Sequence, residues 1–198
     1  MIIPNIYAAI IPTFVSSGIT ALYLIFTRQT FFNEYSTASD NLTKLGHNFK
    51  TLTIGTCGSF IFTKKYNQEK YFNILDVFYY AIILEFCWYW LHRSIHHRLL
   101  YKKIHKLHHH AVVVVPADAY IMSAAEVLLL TACFAVPAYI IDVSQSTALF
   151  VTSLYATAGL LEHGAMYEYR FHDYHHLNPR YNYGYFIPMF DYLFGTYR

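Results

Sequence analysis

Long apolar stretches separated by short polar ones set the first expectation. A bilayer core about 30 Å thick takes about 20 mostly apolar residues as helix, and residues 6–26, 72–91 and 119–141 meet or approach that length. A fourth stretch, 147–161, is shorter, and the tight loop 142–146 before it predicts an antiparallel pair with the third. Residues 52–62, interrupted by glycines and polar side chains, read as an interfacial or re-entrant piece. Residues 28–50 read as a polar surface connection. The pattern predicts an all-α integral membrane protein of about four transmembrane helices, with the number of crossings before residue 72 open.

Composition agrees with a membrane class. Hydrophobic residues make up 56% and charged residues 13%, against about a quarter charged in a soluble domain. Cys57, Cys87 and Cys133 are odd in number, far apart and set in apolar sequence, so neither a disulfide framework nor a cysteine zinc site is expected. The net charge of +2 is small and its cations flank apolar segments, which argues against a nucleic-acid partner. The opening "MIIPNIYAAIIPTF" has no basic leader or small-residue cleavage site, so its apolar run is expected to stay in the mature protein.

The chemistry sits after the second apolar stretch. Residues 92–110, "HRSIHHRLLYKKIHKLHHH", hold seven histidines in nineteen positions. Every buried imidazole has two nitrogens that need partners. His92 and His96 are four apart, His105, His108 and His109 follow HxxHH, and His172, His175 and His176 repeat it. On a helix the positions i, i+3 and i+4 share a face, so each cluster can aim at one point. Eight rings exceed the four ligands of tetrahedral zinc. With His163 as a ninth, they suit two metal ions with room left for an exogenous ligand. Neutral imidazole accommodates iron, copper, nickel and zinc. A proton relay, a pH-sensing cluster or a basic-aromatic interfacial belt would use the same residues, but two copies of HxxHH favour metal. His47 reads as solvated, and His97 and His110 as supporting or surface residues.

Other polar residues frame this site. Glu85, inside an apolar stretch, is expected to hydrogen-bond a ligand imidazole or to form an interior ion pair, and Glu126 and Glu162 invite the same reading. Asp173 falls off the ligand face and reads as solvated or as a cap. The tyrosines of "YNYGY" read as interfacial anchors. The hairpin of the last two apolar stretches returns the chain to one membrane face, so both histidine groups should lie together. That face carries Arg93, Arg98, Lys102, Lys103, Lys106, Arg170, Arg180 and Arg198, while the opposite loop "DVSQS" carries no cation, which makes the histidine face cytoplasmic. Lys64, Lys65 and Lys70 run against this bias.

"HRSIHHRLLYKKIHKLHHH" together with "FHDYHHLNPRYNYGYFIPMFDYLFGTYR" resembles the fatty acid hydroxylase and sterol desaturase superfamily, membrane di-iron oxygenases with three histidine boxes. The tail "NYG" followed by "DYLFGTYR" is closest in flavour to sterol C5-desaturases. The likeness covers about residues 72–198 and implies a catalytic domain there, with residues 1–70 as an N-terminal anchor and connection. It implies a cytosolic helical cap holding two irons, with His92, His96, His105, His108, His109, His163, His172, His175 and His176 as ligands. It further implies O2-dependent desaturation or hydroxylation of a sterol or fatty acyl lipid, electrons from cytochrome b5 or a similar external donor, and a multi-pass place in the endoplasmic reticulum membrane. Zinc could substitute for iron. Where many members carry a histidine-proline pair before an acidic residue, this chain has "SAAE", with Ser123 and Ala124 in the pair's place and Glu126 retained. A His-rich membrane zinc protein, transporter or hydrolase, and a catalytically silent member of the family are the alternatives.

Overall fold

The computed structural model of the protein describes residues 3–27, 29–62, 66–67, 69–164 and 171–198. Lys64, Lys65 and Arg170 of the charge pattern lie outside the described residues. The described chain is helical throughout; strand pairing among these residues is limited to one isolated bridge between Asn67 and Ser144. In order, the helices are α1 (Ile3–Thr27), α2 (Ala38–Phe62), α3 (Ile74–Ile95), α4 (Arg98–Ile104), α5 (Ala124–Ala135), α6 (Pro137–Ile140), α7 (Gln145–Leu161), α8 (Phe171–Leu177) and α9 (Met189–Leu193). Two 3₁₀ turns, His108–His110 and Pro116–Asp118, lie between α4 and α5.

Start signals account for most boundaries. The Asn73 side chain accepts from Leu75 N at 2.8 Å and opens α3, Ser123 caps α5 and Ser144 caps α7. The third apolar stretch therefore begins as helix five residues later than expected, at Ala124, and Pro137 divides it because proline has no N–H to continue the ladder. The polar connection expected over 28–50 is corrected: its second half belongs to α2. Thr37 and Asp40 form a reciprocal cap, with Asp40 N donating to Thr37 Oγ1 at 3.1 Å and Thr37 N to Asp40 Oδ2 at 3.0 Å. The helix that starts there absorbs the weak segment 52–62.

Among the described residues, α3 alone has the length and hydropathy to cross a bilayer; residues 14–27 of α1 and 124–140 are apolar but shorter. Helix α1 packs on α7, α2 on α5, and α3 on both α5 and α7. The core between them is built from Tyr80, Leu84 and Trp88 of α3 with Cys133, Val151, Tyr155 and Tyr185. Tyr80 satisfies its hydroxyl by donating to the Phe134 carbonyl. This packing carries the C-terminal end of α3 to the place where α4, the first 3₁₀ turn, the end of α7 and α8 meet.

Candidate metal centre

The eight histidines singled out by spacing, and His163 with them, come together at this junction. His92, His96, His105, His109 and His175 form one group and His108, His163, His172 and His176 another, each with one ring nitrogen per residue within 4.8 Å of the rest of its group. Histidines 64 and 79 positions apart in sequence thus share a centre: His108 Nε2 lies 3.3 Å from His172 Nε2, and His175 Nε2 lies 2.9 Å from His96 Nε2. The two groups abut, with the rings of His109 and His176 4.4 Å apart between centroids. His92, His105 and His175 are fully buried, and His96 and His109 keep partial exposure.

The outward nitrogens determine what the inward ones can do. His92 Nδ1 donates to the Tyr183 carbonyl at 2.9 Å, His175 Nδ1 to Tyr181 at 2.6 Å, His163 Nδ1 to Gly159 at 2.6 Å and His176 Nδ1 to Ala111 at 3.2 Å. A carbonyl oxygen only accepts, so the proton of each neutral ring sits on Nδ1 and Nε2 presents a bare lone pair. The carboxylate of Glu126 does the same for His105, at 2.7 Å. His92 and His105 then hold two lone pairs 3.1 Å apart in a dry site. Such a contact is repulsive unless a cation lies between the nitrogens.

A proton does not serve as that cation. At the eight histidines beyond α3, burial, reinforced by neighbouring rings, pushes the pKa below the usual imidazole value, to about 4 at His163 and His175 and about 2 at His176. Neutral imidazoles with converging Nε2 atoms are metal ligands in waiting. The spacing fits as well: nitrogens about 2.0–2.1 Å from a metal lie about 2.9 Å apart at octahedral corners and about 3.3 Å apart at tetrahedral ones. The contacts within the two groups run from 2.9 to 3.4 Å.

A supporting shell fixes the carbonyls themselves. Asp191 is fully buried and accepts from Tyr183 N and Gly184 N, both at 2.7 Å, and from Thr196 Oγ1 at 2.8 Å. Asn182 adopts the left-handed region at φ 59° and ties the same loop to Phe171 and Arg198. Glu85 corrects an expectation: it touches no imidazole and forms no ion pair among the described residues. Instead it accepts the backbone N–H groups of Tyr185, Phe186 and Ile187 at 2.9–3.0 Å, anchoring the loop whose carbonyls orient His92 and His175. Asp173 accepts from Gly164 N at 2.9 Å, beside His163. Gly164 sits at φ +81°, and a Cβ there would come within 2.2 Å of the Val114 carbonyl, so only glycine fits.

The substituted pair has a role of its own. Ser123 Oγ accepts from Glu126 N at 3.1 Å while donating to the Ile104 carbonyl at 2.7 Å, so it links the end of α4 to the start of α5 and sets Glu126 against His105. His97 caps α4, and His110 faces Asp118 at 3.4 Å; both stay outside the two groups. Sequence reasoning missed the tyrosine carbonyls altogether. The tyrosines of "YNYGY" are not the interfacial anchors the sequence suggests: Tyr183 and Tyr185 are buried, and the backbone of the motif does the positioning. The proline, glycine and asparagine around it were the available signal for a fixed loop.

Residues 77–196 match the family model of the fatty acid hydroxylases. The chain belongs to the fatty acid hydroxylase family. Within reach of this family chain are Protein CER1-like 1 of Arabidopsis thaliana, 31% identical over 62% of the chain and 23% of the relative, and the very-long-chain aldehyde decarbonylase GL1-6 of Oryza sativa subsp. japonica, 30% identical over 57% and 21%. The Delta(7)-sterol 5(6)-desaturase of Leptosphaeria maculans is 28% identical over 69% of the chain and 40% of the relative. The chain therefore spans less than half the length of these relatives. No solved structure matches it. Its two histidine clusters can hold metal ions.

Proposed function

We propose that this chain is a membrane-bound di-iron oxidoreductase that desaturates or hydroxylates a lipid, a sterol or a fatty acyl chain, with O2 and an external electron donor. Its ligands are His92, His96, His105, His109 and His175 for one iron and His108, His163, His172 and His176 for the other. The observation that carries this reading is the set of converging Nε2 atoms 2.9–3.4 Å from their neighbours, five of them, at His92, His105, His163, His175 and His176, fixed in their tautomer by a carbonyl or carboxylate acceptor on Nδ1. Two bound irons would supply the coupling of O2 reduction to oxidation of an unactivated C–H bond, which side chains do not perform.

The chain's own residues do the rest. Glu126 and the carbonyls of Tyr181, Tyr183, Gly159 and Ala111 orient the rings and raise their basicity. Burial of seven of the nine keeps bulk water from the centre. Residues 72–198 form the catalytic unit and 1–70 the anchor. Helix α1 supports a lipid setting because its buried stripe is Pro12, Ser16, Thr20 and Leu24 while Phe14, Leu22, Ile25 and Phe26 point outward at 69–89% exposure. A helix that turns its small and polar residues inward and its large apolar ones outward is stable against acyl chains, not water. The charge bias makes the histidine face cytosolic, in the endoplasmic reticulum membrane, with a b5-type cytochrome as donor.

Metal analysis of the detergent-purified chain tests the centre: about two irons per chain are expected, and zinc alone after growth in iron-rich medium would sink the reading. Lipid profiling of a host lacking its own sterol desaturase, with and without the chain, tests the reaction. A new double bond or hydroxyl is expected; an unchanged profile from iron-loaded protein would make it a silent member.

A further inference from the structure

Helix α4 is an oddity in a chain this apolar: none of its seven residues is buried. It lies in a stretch without acidic residues between Glu85 and Asp118 that carries Arg93, Arg98, Lys102, Lys103 and Lys106. Arg93 is engaged with Tyr89, but Arg98, Lys102, Lys103 and Lys106 make no ion pair among the described residues. At 100° per residue, Arg98, Lys102 and Lys103 fall on one arc of the helix, and Leu99, 68% exposed, sits in the middle of it. Interfacial helices separate apolar from charged faces so that one can submerge. An exposed leucine ringed by cations has no such face and fits an acidic protein surface with a small apolar centre.

The inner side of the same helix reaches the metal centre. The Tyr101 ring lies 5.6 Å from His96, 6.0 Å from His109 and 6.3 Å from His105, centroid to centroid. His96 and His109 are the two partly exposed members of the five-histidine group, whereas all four of the other group are buried. The partly exposed side of the centre is therefore the one beside Tyr101, on the helix that carries the cationic arc.

We infer that α4 is the docking surface for an acidic one-electron carrier protein, and that Tyr101 is the contact through which electrons pass to the five-histidine half of the centre. The inference rests on the function proposed above and adds a place and a side to it. In each encounter the reduced carrier would lose one electron and leave oxidised, and a ferric ion bound by the five histidines would take up that electron and become ferrous. No bond or proton changes at α4, and Tyr101 acts as a positioning residue in van der Waals reach of the ligands.

The soluble haem domain of a b5-type cytochrome is the probe. Binding of its oxidised form to the full chain in neutral-lipid nanodiscs needs no iron; Lys102→Glu with Lys103→Glu should weaken it about tenfold at low salt and flatten its salt dependence. With iron-loaded protein, Tyr101→Leu should leave that affinity unchanged yet slow reoxidation of the reduced haem several-fold, with iron content intact. Should the double reversal fail to fold, Arg98→Gln reads the same affinity with a smaller, about threefold, loss. Unchanged binding in the reversed protein overturns the surface, and so does a loss of retention on anionic vesicles with carrier binding intact, which would hand α4 to lipid headgroups. A Tyr101→Leu protein that reoxidises haem at the wild-type rate overturns the route. A chain that holds only zinc but still loses the carrier on charge reversal supports the surface while sinking the proposed reaction.

Discussion

At the scale of single residues, the centre depends on atoms that hold ligands as much as on the ligands. Glu126→Gln replaces the acceptor that fixes the His105 tautomer with an amide, and metal affinity should fall about 10–100-fold, measured by competition with a chelator. An unchanged affinity would mean that His105 orients without it. Asp191→Asn puts a donor where three donors converge; a loss of about 3 kcal/mol in stability is expected from denaturant unfolding. Gly164→Ala combines a left-handed backbone with a 2.2 Å collision, so it should lower the melting temperature more than any alanine change on the exposed α4. The clustering of the histidines was legible in the sequence because HxxHH has helical period and histidine is scarce in apolar cores. Their partners were not, because a carbonyl belongs to every residue and no letter marks the one that will face a ring.

At the scale of elements, boundaries followed capping chemistry more closely than hydropathy. Apolar content located α1, α3 and α7 well. It misjudged α2, whose first half is polar, since a helix can be stabilised by its Thr37–Asp40 start and by packing on α5 without being apolar. It also overextended the third stretch through 119–123, where Ala119, Ile121 and Met122 are buried but irregular beside the Pro116–Asp118 turn. Helix α1 makes a separate claim. Phe14→Asp with Phe26→Asp alters only exposed positions, so a water-facing helix would tolerate the pair. If the outward face meets acyl chains, the doubly changed protein should be lost from carbonate-washed membranes, scored by fractionation.

At the scale of the whole molecule, the fold is a helical frame that delivers four separate pieces of chain to one point, and its stability should be tied to what they hold. Stripping metal with a strong chelator is expected to lower the melting temperature and to loosen the loop 178–187, which hydrogen exchange would register as lost protection at Tyr183 and Gly184. A second tie lies away from the centre. Asp118 is buried, which by itself would raise its pKa, yet hydrogen bonds from His110, Lys44 and the Val115 N–H hold it down to about 2. A carboxylate depressed from 3.8 in this way adds stability above that pH and loses it as the pH falls toward 2. The melting gap between the protein and Asp118→Asn should therefore be widest near neutrality and shrink steadily below pH 4. The join of α2 to this loop was invisible in the sequence because Lys44 and Asp118 are seventy-four residues apart. Finally, rings held by main-chain oxygens tolerate one kind of change and not another. Tyr181 could drift to many other amino acids with its carbonyl still aimed at His175, whereas inserting or deleting a single residue between Leu177 and Tyr183 would rotate every following peptide group out of place. Natural variation in this family should accordingly show free spelling but fixed length across that stretch.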